Sequence, residues 1–401
     1  MFIETSLQEQ AERQRGDRLR VLVVGGGVAG LTLAQLLRRG GLNPVLAERA
    51  PDNADAGYML ALMPLVEPAM RALGVRDAYR ARSAPFHRYR LHGRHGPLLL
   101  EYEIDTLLDA RGDYRGLARG ELLEALGADG APISHGASVE ALRQTGGTVE
   151  TVLRDGHGAI EAAFDAVVLA DGLHSENRAR LLDPDEVATY DTGWAGWVAW
   201  IETDAAHADQ GDEIWGAGFF VGVYPVKGRA GVFVGGDRAA MREGPAAFVA
   251  HIRGQLGATD PWLEQALTKV AANEGLYVWN LTDCRADRWA VGRVALLGDA
   301  AAGFLPTAGI GAGMAMESAA VLAPRLLGAS PETVGEALLA YERAQRPRVE
   351  AAQDSSRRLA QLMFRRSRAL AAIRDLAVRL VPLATVLRPI RKLLDERPLT
   401  A

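Results

Sequence analysis

The hexapeptide Gly25-Gly26-Gly27-Val28-Ala29-Gly30 follows the pattern G-x-G-x-x-G. In such a loop the first glycine permits a tight turn. The second lets backbone approach a pyrophosphate, and the third lets a helix pack closely on a strand. A helix opening at this point presents free N–H groups and the positive end of its dipole to phosphate oxygens. Glu48 lies 18 residues beyond Gly30, where a carboxylate can accept hydrogen bonds from both ribose hydroxyls. It would also repel a 2′-phosphate, which favours FAD or NAD over NADP as the bound nucleotide. Ala29 inside the loop and Arg49 beside the acid complete the expected nucleotide-binding set.

A second acid, Asp299, ends the apolar run RVALLG and precedes a glycine- and alanine-rich loop. A carboxylate there can hold a ribityl hydroxyl of FAD. Pro306 stiffens the loop, and the stretch Gly309-Ile310-Gly311-Ala312-Gly313 opens a helix whose bare N–H groups can hold negative charge developing on the pyrimidine edge of a reduced flavin. Between these two sites lies Asp171-Gly172, followed by Ser175 and Arg178.

The elements that position these residues are readable from patterning. RVLVV at 20–24 suits a buried parallel strand, and 28–39 reads as a helix stopped by Gly40 and Gly41. Residues 45–47 resume as a strand, giving a strand–helix–strand crossover of about 30 residues. Residues 137–169 alternate around turns, as a small antiparallel excursion would. From 190 to 240 the texture changes to strands dense in Trp, Phe, Val and Gly. The expected fold is α/β: a Rossmann-like nucleotide-binding domain (19–75, 105–185 and 282–350) interleaved with an antiparallel-sheet substrate domain (76–104 and 186–281). A polar tail (1–18) lies outside it, and amphipathic helices (351–401) end the chain.

Composition narrows the function further. The chain of 401 residues is 48% hydrophobic and 24% charged, with a net charge of −5. That is ordinary globular material with no electrostatic reason to meet nucleic acid. Its single cysteine, Cys284, cannot form an internal disulfide and fits a reducing cytoplasm. His87, His92 and His95 span a hairpin turn crowded by Arg88, Arg90 and Arg94, which would repel a cation, so no metal is expected. No apolar run is long enough to cross a bilayer.

In their order, Gly25/Gly27/Gly30, Asp171-Gly172 and Gly298-Asp299 resemble the three signatures of the class A FAD-dependent monooxygenases. That group includes para-hydroxybenzoate hydroxylase and the tetracycline-inactivating monooxygenases. The tail motif Tyr341-Glu342 with Arg346-Pro347-Arg348 is similar too, as is Arg119 at the head of a helix. The resemblance spans roughly residues 20–350. It implies FAD as cofactor, NAD(P)H and O2 as co-substrates, and transfer of one oxygen atom through a flavin hydroperoxide. It also implies that Arg119 meets the pyrophosphate or ribityl chain, and that the Asp171 motif supports FAD and the nicotinamide donor. Ala302, Ile310, Gly313 and Ser318 stand where the family often has His, Gln, Asn and Asp. Such chemistry needs an enclosed room and no catalytic triad, so no catalytic side chain is singled out.

The expected substrate is an aromatic or polycyclic small molecule of secondary metabolism, lined by some of Trp194, Trp200, Trp215, Phe220 and Tyr224. Alternation sends some of them to the opposite face. Epoxidation, Baeyer–Villiger insertion, reduction or a non-catalytic ligand-binding role are the alternatives. A flavin-dependent halogenase is disfavoured, because the first lysine is Lys227 and GWAGWVAWIE lacks Ile-Pro. Residues 351–401 carry eleven basic and four acidic side chains. With Leu359, Leu362, Met363, Leu370, Ile373, Leu376 and Leu380 at helical spacing, they read either as a helix packed across both domains or as a weak membrane-surface contact. A monomer or dimer is expected.

Overall fold

The computed structural model describes residues 2–52, 57–104, 108, 112–257, 259–380 and 388–396. Of the expected terminal helices, 381–387 and 397–401 lie outside these residues, as do 53–56, 105–107 and 109–111 of the nucleotide-binding half and its neighbour segments.

Among the described residues the strands form five sheets. The first is the sheet of the nucleotide-binding half, in the order Ala290–Val291, Val294–Leu296, Ala166–Leu169, Val21–Val24, Val45–Ala47. Its inner pairings are parallel, with Leu22 opposite Val167 and Val45, and Val167 opposite Val294. Each inner strand is buried throughout, which is why these segments are continuous apolar runs rather than alternating ones. The helices Val28–Arg39 and Gly311–Gly328 pack on it, and Val294–Leu296 delivers Asp299 beside the glycine loop.

The second large sheet has seven strands, ordered Val278–Ala286, Val187–Glu202, Arg229–Asp237, Phe219–Val226, Gln210–Trp215, Arg88–His92, Leu98–Glu103. It is antiparallel except where Gln210–Trp215 pairs in parallel with Arg88–His92. One face packs Trp197, Phe219, Val221 and Val234 against the helices Pro245–Arg253 and Pro261–Ala271. The other face, with Trp215 and Phe220, looks back toward the nucleotide-binding half. Ser138–Thr145, Thr148–Asp155 and Gly158–Phe164 form the small antiparallel excursion.

Two organisational expectations need correction. The first residues are no outlying tail. Phe2–Glu4 pairs in parallel with Ala131–Ile133, and the helix Leu7–Arg13 buries Leu7 and Gln10. Gln10 explains why a polar segment is held. Its amide donates to the carbonyls of Thr5 (3.2 Å) and Leu46 (3.3 Å) and accepts from the Leu46 N–H at 2.9 Å, closing the open edge of the Val45–Ala47 strand. Residue 76 is also too early a start for the sheet domain. Tyr79 packs in the same core as Leu22 and Leu122, and Ala84–Pro85 pairs with Arg115–Ala118.

The helix Val334–Met363 packs on the nucleotide-binding half and reaches the seven-stranded sheet, where Arg357 donates to Asp283 at 2.9 and 2.6 Å. Glu342 accepts from the N–H groups of Trp289 (3.0 Å) and Ala290 (2.9 Å), and Arg348 forms a two-pronged pair with Glu317 at 2.7 and 2.9 Å. Beyond it, Arg374 on the helix Arg368–Leu380 is buried over Trp215 and donates to the carbonyls of Gly216 and Met363.

Candidate active site

The strand Val21–Val24 runs straight into Gly25, whose φ of +107° lies in the region that favours glycine. A Cβ there would stand 2.3 Å from the carbonyl oxygen of Ala170, and one on Gly30 would stand 2.0 Å from that of Gly25. These two glycines are dictated by the protein's own backbone. Gly27 differs: a Cβ there would meet only Arg119 Nη2 at 3.6 Å. Gly27 caps the helix Val28–Arg39 without a side-chain hydrogen bond, so the first N–H groups of that helix stay open. Glu48 sits against the loop, accepting from the N–H of Gly26 (2.5 Å) and of Ala50 (2.7 Å).

The third motif meets the first. Gly298, at φ +63°, would place a Cβ 2.7 Å from the Cβ of Ala29. That contact brings Asp299 alongside the glycine loop. Desolvation by the surrounding protein pushes the Asp299 carboxyl up to about 6, with the Arg119 guanidinium pulling it back. Among the described residues no donor reaches that carboxyl, although it faces a cavity. The residue is exposed toward that cavity, so its carboxylate is open to any ligand that brings donors. A chain of ribityl hydroxyls is such a ligand.

The cavity encloses about 560 Å³. Gly27, Ala29, Arg119, Asp299, Pro306, Gly309, Gly311 and Ala312 all line it. Helix starts for phosphate, an unpartnered acid for the polyol and bare backbone at the Gly311 helix start fit FAD in that order.

Not every expected residue faces this room. Asp171 does not: its carboxylate accepts from Ser175 Oγ (2.6 Å) and Asn177 Nδ2 (2.9 Å), closing a turn. Arg49 pairs with Glu176 at the surface. Ile310 is buried, and a Cβ on Gly313 would stand 3.0 Å from Leu65, so both serve helix packing. Trp215, Phe220 and Tyr224 line the cavity. Trp194 and Trp200 do not. They share a strand face with Val198, which does, but sit at either end of it. Trp194 stacks on Phe364 at 4.5 Å, and Trp200 lies under the Arg229 guanidinium at 3.8 Å. His92 is held by Asp212 (2.9 Å) and the Gly96 carbonyl (3.0 Å), and His95 contacts the Gln255 carbonyl at 2.9 Å.

The Asp-Gly segment acts through Arg178 instead. This buried guanidinium donates to the carbonyls of Ala300 (2.9 Å) and Leu173 (2.8 Å) and touches Cys284 Sγ at 3.3 Å. It fixes the peptide next to Asp299. Arg178→Met should leave both carbonyls unsatisfied, cost about 2–4 kcal/mol and loosen FAD. A fall in apo melting temperature together with a lower flavin-to-protein ratio checks this; an unchanged ratio would rule out the bracing role.

Residues that patterning missed include Tyr58, Tyr89, Tyr114 and Glu213 on the cavity wall, and Leu359, Leu362 and Met363 that roof it. Glu213 had a signal: QGDEIW is a strand in which all six residues are buried, acids included, and buried acids demand partners.

This fold and site are those of a flavin-binding oxidoreductase. The chain matches the family described as FAD binding domain over residues 18–356. It is 31% identical to the 3-amino-4-hydroxybenzoate 2-monooxygenase PtnB3 of Streptomyces platensis over 85% of this chain and 87% of that one. It is 28% identical to the 2-heptyl-3-hydroxy-4(1H)-quinolone synthase of Pseudomonas aeruginosa, over 92% and 95%. The Klebsiella pneumoniae HpxO structure with FAD and uric acid superposes with a TM-score of 0.82 at 22% identity, over 96% and 99%. The chain belongs to the FAD-dependent monooxygenase family of these relatives, and it is an enzyme with FAD as its cofactor.

Proposed function

We propose that this enzyme takes electrons from NADH or NADPH and transfers one atom of O2 to an aromatic or polycyclic small molecule of secondary metabolism, in a cytoplasmic setting. The supporting observation is one continuous cavity that runs from Asp299 and the Gly309–Ala312 loop to Trp215, Phe220 and Tyr224. When bound, FAD stores the electrons and activates the oxygen. The chain does the rest. The helix start at Gly27 and Arg119 hold phosphate, Asp299 holds the polyol, and the Gly311 helix start steadies negative charge. The aromatic sheet face orients the ring, and Leu359, Leu362 and Met363 keep water out. The test is to mix holoenzyme with each nicotinamide in air and follow flavin bleaching, with and without a panel of hydroxylated arenes. Bleaching, followed by arene-dependent recovery and an oxygenated product, is expected. No bleaching with either donor would sink the reading.

A membrane-surface contact is a second proposal, resting on the helix Arg368–Leu380. Leu370, Ile373, Leu376 and Leu380 on it are 49%, 63%, 60% and 73% exposed, while Ala371, Arg374 and Asp375 face inward. An apolar stripe in a basic segment suits an anionic bilayer. Sedimentation with phosphatidylglycerol vesicles should carry the protein down, and Ile373→Glu with Leu376→Glu should release it without changing its melting temperature by more than about 2 °C. Equal sedimentation of both would exclude this contact.

A further inference from the structure

The far end of the cavity holds an acid that the oxygen-transfer reading has not used. On the strand Gln210–Trp215 side chains alternate. Asp212 turns away from the cavity to His92 and to Gln210, whose amide donates to it at 2.7 Å. Glu213 turns in and lines the cavity. Its Oε2 accepts from Tyr89 Oη (2.6 Å) and Trp215 Nε1 (2.8 Å), and its Oε1 from Tyr224 Oη (2.8 Å). A carboxylate offers about four acceptor positions, so one remains, on Oε1.

Among the described residues no cation pairs with this acid, and burial pushes its ionisation above the ordinary carboxylate range against the pull of three donors. A buried acid on neutral partners is an expensive way to fill a core. Its surroundings also reach the flavin loop. Tyr114, whose ionisation is raised first by burial and then by the Glu213 charge, has its hydroxyl 3.7 Å from where a Cβ on Gly309 would stand. The acid and the loop before the Gly311 helix therefore share one room. Leu359, Leu362 and Met363 add apolar lining, in the same cluster as Trp215 and Phe220.

Resting on the monooxygenase reading above, we propose that Glu213 anchors the substrate by its ring O–H or ring N–H and accepts that proton, selecting neutral hydroxylated or N–H-bearing arenes with an apolar remainder. In the transfer the ring O–H bond breaks, its electron pair stays on the ring oxygen, and Oε1 gains the proton. The ring is then richer in electrons at the carbon that receives oxygen. The ring carbon bonds to one oxygen atom of O2 as the O–O bond breaks. The proton released from that carbon on rearomatisation goes to the second oxygen atom, which leaves as water reduced by the nicotinamide electrons. The Glu213 proton returns to the ring oxygen, so that the carboxylate ends as it began. Tyr89, Trp215 and Tyr224 are positioning residues that hold the acid in place.

The test uses holoenzyme and three probes of one shape: 4-hexylphenol, 4-hexylanisole and 4-hexylbenzoate. Binding is read from tryptophan fluorescence and from the flavin difference spectrum. A hydrogen bond to a charged acceptor corresponds to about a tenfold preference or more for the phenol over its methyl ether, which has no proton to give. The benzoate should bind more weakly than either. In Glu213→Gln the phenol preference should fall below about threefold while the flavin-to-protein ratio stays at the wild-type value. If that variant does not fold, Tyr224→Phe serves. It frees a second position on Oε1, so it should tighten the phenol several-fold and leave the ether unchanged. Equal affinity for phenol and ether, tighter binding of the benzoate, or no binding of any probe would overturn the role of Glu213. The monooxygenase reading would survive those results if nicotinamide oxidation by the bound flavin were intact, and would fall separately if it were not.

Discussion

Gly30→Ala should yield protein that neither retains FAD nor folds stably, whereas Gly27→Ala, three residues earlier, should fold normally and lose only flavin affinity. The contrast follows from what each added methyl would meet. At Gly30 the Cβ would stand 2.0 Å from the carbonyl oxygen of Gly25. That oxygen belongs to a loop whose own position is set by the end of the neighbouring strand at Ala170, so nothing nearby can give way. Overpacking of that kind costs about 3 kcal/mol or more, a large fraction of a domain's stability. At Gly27 the nearest atom is Arg119 Nη2 at 3.6 Å, an ordinary contact, and the residue's φ of −70° suits alanine. The methyl would instead occupy the space where phosphate approaches the open helix start. Melting curves of the apo proteins should separate the two variants, with Gly27→Ala within about 1 kcal/mol of wild type. Flavin titration should show its affinity reduced by about tenfold or more, since even one lost charge-assisted hydrogen bond is worth that. Equal damage from both substitutions would mean that Gly27 also serves the fold.

Asp299→Asn should make the flavin-free protein more stable at pH 7.5 and poorer at holding FAD. Desolvation by the surrounding protein pushes the carboxyl up to about 6, against an ordinary value of 3.8. The folded state therefore binds a proton more tightly than the unfolded chain. Its contribution is fully present below pH about 3.8 and is lost as pH rises through about 6, with its size reduced by solvent in the open cavity. Wild-type apoprotein should weaken across that window relative to Asp299→Asn, whose amide does not titrate. The measurement is the difference in urea midpoint between the two proteins at pH 4.5, 6 and 7.5. A constant difference would show that Asp299 is not the titrating group. Added FAD should reverse the order at pH 7.5, because hydroxyl donors then reach the carboxylate. Stability given up for a ligand in this way is a common cost of a binding site.

How much of this was readable depended on the range of the forces involved. The strand before Gly25, the helix after it and the acid after RVALLG are local patterns, and each lies where its spacing put it. The antiparallel sheet was visible in its Trp- and Val-rich strands. What spacing could not give was which end of a strand face meets a cavity. Trp194 and Trp200 have the right parity and the wrong position, a matter of how far the sheet extends past the flavin half. Asp171 sits in the right motif, but a turn with Ser175 and Asn177 outcompetes a ligand for its oxygens. The polar first residues looked dispensable because two buried glutamines, Gln10 and Gln14, carry much of the contact, and isolated amides leave no periodic signal. Arg178 was named with its motif, yet its partner, the Ala300 carbonyl, is 122 positions away.

That distance has a counterpart in the cavity as a whole. Its wall draws on Gly27, Tyr58, Arg119, Glu213, Asp299 and Met363, residues scattered over most of the sequence. No contiguous third of the chain contains both the glycine loop and the acid at the opposite end. Such a room cannot be assembled piecemeal, because the loop-closure entropy of bringing these segments together is lost before any of their contacts form. Excised fragments should therefore hold neither ligand. The same dispersal gives independent control: the nucleotide end and the arene end can each be altered by substitutions that share no neighbours, so their effects on binding should add.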